Sequence, residues 1–160
     1  MDSAALSEER IRDRMAILDV LARYAQALDE KRYALLDDVF TPDAVIDMTS
    51  SGGIRGDRTA FAEWIPQALR LFPVTQHMLG QSVFDFDPEG AAARVVTYQS
   101  NPMGYGREDG TIDLFVLGGY YRDRVARTTA GWRIQERVWH QVWQSGRIPD
   151  QLTLPALDPD

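Results

Sequence analysis

From Thr75 onward the chain reads as strand after strand, and before Thr75 it reads as helices with one short strand. Segments near 75–86, 91–101, 111–127 and 131–143 are rich in β-branched and aromatic residues. Turns divide them at Asp87-Pro88-Glu89-Gly90, between Met103 and Gly110, and between Thr128 and Gly131. Strands this long, joined by short turns, predict an antiparallel meander. Gly118-Gly119 inside the third segment predicts a bulge or sharp bend. Helices followed by such a meander specify an α+β arrangement, with N-terminal helices packed on a strongly curved sheet. A curved sheet closed by helices makes a cone that encloses a pocket.

The first helix runs from about Glu8 to Lys31, with Ser7 as its cap and Glu8 and Glu9 favoured in its first turn. Its apolar set Ile11, Met15, Leu18, Ala22, Ala25 steps by fours and threes, and the next member is Asp29. Arg10, Arg12 and Asp13 suit solvent. A carboxylate closing an apolar face must escape to water or find a partner, because an unpaired buried charge is costly. A short second helix is expected over Tyr33 to Val39, ended by Thr41-Pro42-Asp43. Ala44 to Thr49 then reads as a short strand, and Asp57 or Thr59 starts a third helix that Pro66 should kink. Residues 1–160 form one domain, with 144–160 an irregular tail that Leu152, Leu154 and Leu157 could dock.

Composition narrows the function. A net charge of −7 argues against nucleic acid as a partner. Zero cysteines and two histidines argue against a metal centre and exclude thiol chemistry. No apolar run approaches the length of a membrane span, and the N-terminus lacks a signal core, so a cytoplasmic location is expected. No phosphate loop, nucleophile elbow or dinucleotide fingerprint is present, and no cofactor is expected.

His77, on the first long strand, is the candidate partner for Asp29. A carboxylate on one ring nitrogen fixes the tautomer and leaves the other nitrogen free to take a proton. His77, Leu79, Gln81 and Val83 are expected on one strand face. Tyr24 offers a phenol that could polarise a carbonyl. On the last strand, Arg137, Trp139, Gln141 and Trp143 alternate with Trp132, Ile134, Val138 and His140. Arg137 is read as a pocket-wall cation, stabilising an anion or holding Asp29, and His140 is left out of the site. Trp64, Tyr98, Ser100, Tyr120 and Trp139 are the expected substrate-binding residues, with Asn101 beside Tyr98 and Ser100 at the expected pocket mouth. Only one of Tyr120 and Tyr121 should point inward.

Several stretches resemble one family. Ile17-Leu-Asp-Val-Leu-Ala-Arg-Tyr-Ala-Gln-Ala-Leu-Asp29, Val39-Phe-Thr-Pro-Asp-Ala44, Gly119-Tyr-Tyr-Arg-Asp and Gly131-Trp-Arg-Ile134 are similar to the SnoaL-like branch of the NTF2-like superfamily. A lyase subset of scytalone dehydratase, hexachlorocyclohexane dehydrochlorinase and bile-acid 7α-dehydratase carries an Asp at the end of the first helix and a His on the first long strand. The interval here, 77 − 29 = 48, resembles that of the last two. Tyr24, five before the Asp, and Arg137, five after Trp132, match site positions in that subset. The second histidine of scytalone dehydratase has no counterpart; the corresponding region holds Tyr98, Ser100, Asn101 and Pro102.

The resemblance implies an NTF2-like cone in which His77 is a general base oriented by Asp29. It points to a dehydratase-type lyase, and the expected Trp, Phe, Met and Leu lining points to a small, largely apolar, cyclic substrate. An isomerase or polyketide cyclase with the same base, or a non-catalytic ligand-binding or assembly module, are the alternatives. A homo-oligomer, trimer or dimer, is the family expectation, and Trp139 and Trp143 are candidate interface residues.

Overall fold

The computed structural model describes residues 7–107 and 109–150. The expectations for the tail leucines fall outside them. Helix α1 (Glu8–Asp29) starts on Ser7, whose hydroxyl accepts from the Arg10 N–H at 3.2 Å. It ends in a Schellman turn: Lys31 N–H reaches the Leu28 carbonyl at 3.2 Å and Arg32 N–H reaches the Ala27 carbonyl at 2.8 Å. Lys31 takes the left-handed φ of 57° that this turn requires. The helix therefore stops just past Asp29.

The buried face of α1 only partly follows its stepping. Ile17, Val20, Leu21, Tyr24, Ala25, Ala27 and Leu28 are buried, while Ile11, Met15, Leu18 and Ala22 are exposed. Asp13, expected in solvent, lies on the buried face. Its two carboxylate oxygens each accept from Arg127 Nη2 at 2.7 Å, and one also accepts from Trp132 Nε1 at 3.1 Å. Paired in this way, an acid can occupy the interior.

A 3-10 turn over Tyr33–Asp38 leads into β1 (Phe40–Asp47). The expected break at Thr41-Pro42-Asp43 is instead strand, with Pro42 accommodated where the pairing of β1 slips between Phe40 and Val45. After β2 (Arg55–Asp57) comes α2 (Arg58–Ala68), capped by Asp57, which accepts from the Ala60 N–H at 2.8 Å. Pro66 sits in its last turn, and a 3-10 turn over Leu69–Leu71 follows.

Strands β3 (Val74–Thr75), β4 (Met78–Phe86), β5 (Ala92–Gly106), β6 (Ile112–Thr128) and β7 (Gly131–Gly146) complete the sheet. The order is β2-β1-β7-β6-β5-β3, with β4 also paired to β5. The sheet is mixed, not wholly antiparallel, because β1 runs parallel to β7. β7 continues to Gly146, past the expected start of the tail at 144.

Three slips bend the long strands. β6 and β7 shift at Gly118/Gly119, where a bend was expected, and again at Arg124/Val125. A Cβ on Gly118 would enter the Trp143 ring, and one on Gly119 would strike the His140 carbonyl. β4 shifts against β5 between Leu79 and Ser82. The expected face His77, Leu79, Gln81, Val83 is broken there: Leu79 and Phe84 turn partly inward and Val83 is exposed. The core lies between α1, α2 and the inner face of the sheet. Among the described residues, no helix is long and apolar enough to cross a membrane.

Candidate active site

Asp29 occupies the last turn of α1, where the helix dipole disfavours a negative charge. Three donors offset this. His77 N–H donates to Oδ2 at 2.8 Å, His77 Nδ1 meets Oδ1 at 2.7 Å, and the Thr75 hydroxyl donates to Oδ1 at 3.1 Å. Lys31 Nζ in turn donates to the Thr75 hydroxyl at 3.1 Å. Burial pushes the Asp29 carboxyl up, but the bonds and charge of His77 and the Thr75 bond hold it below its ordinary value. His77 itself lies in the gap between β3 and β4, just before the strand rather than on it. This gap frees its backbone N–H for Asp29.

An ionised Asp29 accepts from Nδ1, so the neutral ring carries its proton there. Nε2 is then the basic nitrogen. It meets the Nδ2 amide of Asn101 at 3.2 Å. His77 and Asn101 both line a cavity of about 220 Å³ between α1, α2 and the sheet, and Asp29 stands behind His77. The aromatic wall is Phe61, Trp64, Phe72, Phe115, Tyr121 and Trp139; the polar residues are Tyr24, Ser51, His77, Gln99 and Asn101. No Asp, Glu, Lys or Arg is among the described lining residues.

Residues 9–138 match the SnoaL-like domain. The chain belongs to the SnoaL-like family. It is 40% identical over 144 residues to the uncharacterized protein Rv2910c of Mycobacterium tuberculosis, covering 90% of this chain and 95% of that one. A candidate scytalone dehydratase from Novosphingobium aromaticivorans superposes with a TM-score of 0.76 at 19% identity, over 89% of this chain and 93% of the other. The LinA-type3 hexachlorocyclohexane dehydrochlorinase of Novosphingobium barchaimii gives 0.70 at 12% identity, over 92% and 98%. At those identities the structural likenesses speak for the fold alone, which is that of the NTF2-like superfamily.

In this SnoaL-like chain, Tyr24 is fully buried and packs edge-on to the His77 ring, centroids 6.1 Å apart. Behind the cavity wall lies Arg137, with no exposed surface. It does not hold Asp29. Its Nε and Nη2 donate to the two carboxylate oxygens of Asp123 at 2.8 and 2.7 Å. The guanidinium is sandwiched between the rings of Tyr24 and Tyr121, 4.0 and 4.1 Å from their centroids. The sequence reading of Arg137 as a pocket-wall cation is thus corrected: it sits one layer deeper and is already paired.

The sandwich affects the phenols. Burial pushes Tyr24 up, partly opposed by the Arg137 charge and by hydrogen bonding with Tyr121 and Arg137. Tyr121 is pushed well above its ordinary value, by burial first and then by Tyr24. Both stay protonated; the Tyr121 proton is engaged by Tyr24, whose own O–H is left to donate to an oxygen in the cavity. Burial opposes the charge on Arg137, but the charge and hydrogen bonds of Asp123 outweigh it and raise its pKa.

Trp64 and Trp139 line the cavity as expected, although Trp139 is buried and is no surface residue. Tyr98, Ser100 and Tyr120 do not line it. They border a groove on the other face of the sheet, with Met78, Val142 and Trp143. Their neighbours Gln99, Asn101 and Tyr121 take the inward positions. The sequence held the signal: Arg94 marks even positions of β5 as outward, and Arg122 and Arg124 do the same for β6. His140 stacks on Tyr120, centroids 4.6 Å apart, away from His77. On β7 the slip opposite Arg124/Val125 carries Trp132 and Ile134 onto the buried side with Arg137 and Trp139.

Proposed function

We propose that the chain is a cofactor-independent lyase that removes water from a small, neutral, largely apolar and cyclic substrate. One observation carries the reading: Asp29 holds the Nδ1 edge of His77 and leaves Nε2 as a base at the wall of an uncharged aromatic cavity. Nε2 takes a proton from the carbon next to a substrate carbonyl. Asp29 stabilises the imidazolium that results. The Tyr24 phenol, itself accepting from Tyr121, donates to the carbonyl oxygen as negative charge gathers on it. The electron pair then forms the new double bond and expels the β-hydroxyl. The hydroxyl leaves as water on taking the proton back from Nε2. The cavity walls suit an apolar ring, and a charged substrate would meet no opposite charge among the lining residues.

An isomerase shares the first step and returns the proton to another carbon. It is favoured by Asn101, since an amide beside His77 cannot itself protonate a leaving hydroxyl. A panel of cyclic β-hydroxy ketones and cyclic β,γ-enones, followed for conjugated-enone absorbance and by mass for loss of water, tests the assignment. Loss of water by the wild-type protein supports the lyase. A shifted double bond at unchanged mass assigns the isomerase. Exposed Met78, Tyr98, Val142 and Trp143 support a homo-oligomer, dimer or trimer, whose mass light scattering reads directly.

A further inference from the structure

The amide of Asn101 is half used. Its Nδ2 meets His77 Nε2 at 3.2 Å, while its buried Oδ1 has no hydrogen-bond partner among the described residues. Buried amide oxygens are almost always bonded, so one left without a partner asks for an explanation. The orientation of the amide is fixed by its neighbour. With the proton on Nδ1 toward Asp29, Nε2 presents a lone pair, and only the NH2 end of Asn101 can meet it.

That arrangement fits the neutral ring alone. Once Nε2 has taken a proton it becomes a donor, and the NH2 of Asn101 would face it donor to donor. A half-turn of the amide about its last side-chain bond exchanges nitrogen for oxygen with almost no change of shape. Oδ1 then accepts from Nε2–H and gains the partner it lacks. Hydrogen bonds to a charged group are the stronger kind, so the turned amide stabilises the imidazolium.

Resting on the reading of His77 as base, we propose that Asn101 is a positioning residue whose amide turns over with the protonation of His77. It caps the lone pair at rest and holds the imidazolium between proton abstraction and proton return. The other polar groups around the ring come from several elements. Asp29 and Tyr24 face it from α1, Thr75 and Lys31 lie behind Asp29, and Tyr121 looks across from β6. Among the described residues, none of these bonds Nε2, so the turn of Asn101 is the local response to a proton there.

The test uses the full chain without ligand. The Asn101 side-chain NH2 signals are followed by NMR on acidification, beside the ring nitrogens of His77. His140→Gln, on the opposite face, identifies the His77 ring. The expected result is that the Nδ2–H signals shift and their coupling to Nε2 is lost in step with ring protonation, replaced by a coupling from Nε2–H to the Asn101 carbonyl. Asn101 signals that stay unchanged while the His77 ring becomes protonated would overturn the proposal. Turnover of His77→Ala separates the two claims: a static amide with turnover lost overturns the amide turn alone, and a turning amide with turnover intact overturns the base.

Discussion

Asp29 is bound twice by His77, at Oδ2 through the backbone N–H at 2.8 Å and at Oδ1 through Nδ1 at 2.7 Å. The double contact fixes main chain and imidazole together, so the ring cannot rotate without breaking its link to α1. Both ends depend on local irregularity. The Schellman turn ends α1 at Asp29, and the gap between β3 and β4 leaves the His77 N–H outside the ladder.

The first prediction concerns acid. Asp29 is held below its ordinary value when folded, so its contribution to stability is complete above that ordinary value. The contribution is lost as pH falls through the lower, folded value. Urea midpoints of wild type and Asp29→Asn should therefore differ at neutral pH and converge as the medium becomes strongly acidic. A constant gap across that range would contradict the assignment.

A second prediction concerns the ion pair behind the cavity. Asp123→Asn leaves the Arg137 guanidinium buried without its counter-charge, which should cost about 3–5 kcal/mol in chemical denaturation. The double change Asp123→Leu with Arg137→Met should recover most of that loss, since a buried pair adds little over well-packed apolar residues. A double variant no more stable than Asp123→Asn would show that the pair itself organises the core.

The adjacent glycines of β6 should behave differently. A methyl at Gly118 meets the side chain of Trp143, which is 44% exposed and can swing out. A methyl at Gly119 meets the His140 carbonyl within the sheet, which cannot. Gly119→Ala should cost about 1–3 kcal/mol by overpacking and Gly118→Ala distinctly less. Thermal melts of the two variants give the comparison.

Much of the fold was legible because its signals are local and repeated. Turn residues divide the meander, Ser7 and Asp57 start the helices, and Gly118-Gly119 marks a bend. The site was half legible. Asp29 stood out as a charge closing an apolar face and His77 as one of two histidines, and the two meet. The stripe that pointed to Asp29, however, is largely exposed from Ile11 to Ala22. The stripe packs only at its far end, where Ala25 is buried and Asp29 half-buried.

The failures come from relations that sequence spacing does not carry. Slips in β4 and β7 change which residues share a face, so strict alternation misleads beyond each one. Arg137 was assigned to the pocket because its partner, Asp123, lies 14 residues away on another strand. Asp13 was sent to solvent because Arg127 and Trp132 meet it only in the folded chain. Reading Tyr98 and Ser100 together with Asn101 as pocket-mouth residues, and Tyr120 in place of Tyr121, ignores the outward parity that the arginines beside them mark.

The most direct measurement is kcat of His77→Ala on a cyclic β-hydroxy ketone that the wild-type protein dehydrates, beside ligand affinity read from the fluorescence of Trp64 and Trp139. The account predicts that kcat falls by about 100-fold to 10,000-fold, the usual contribution of a general base, with affinity changed only a few-fold. Turnover at the wild-type rate in His77→Ala would contradict it.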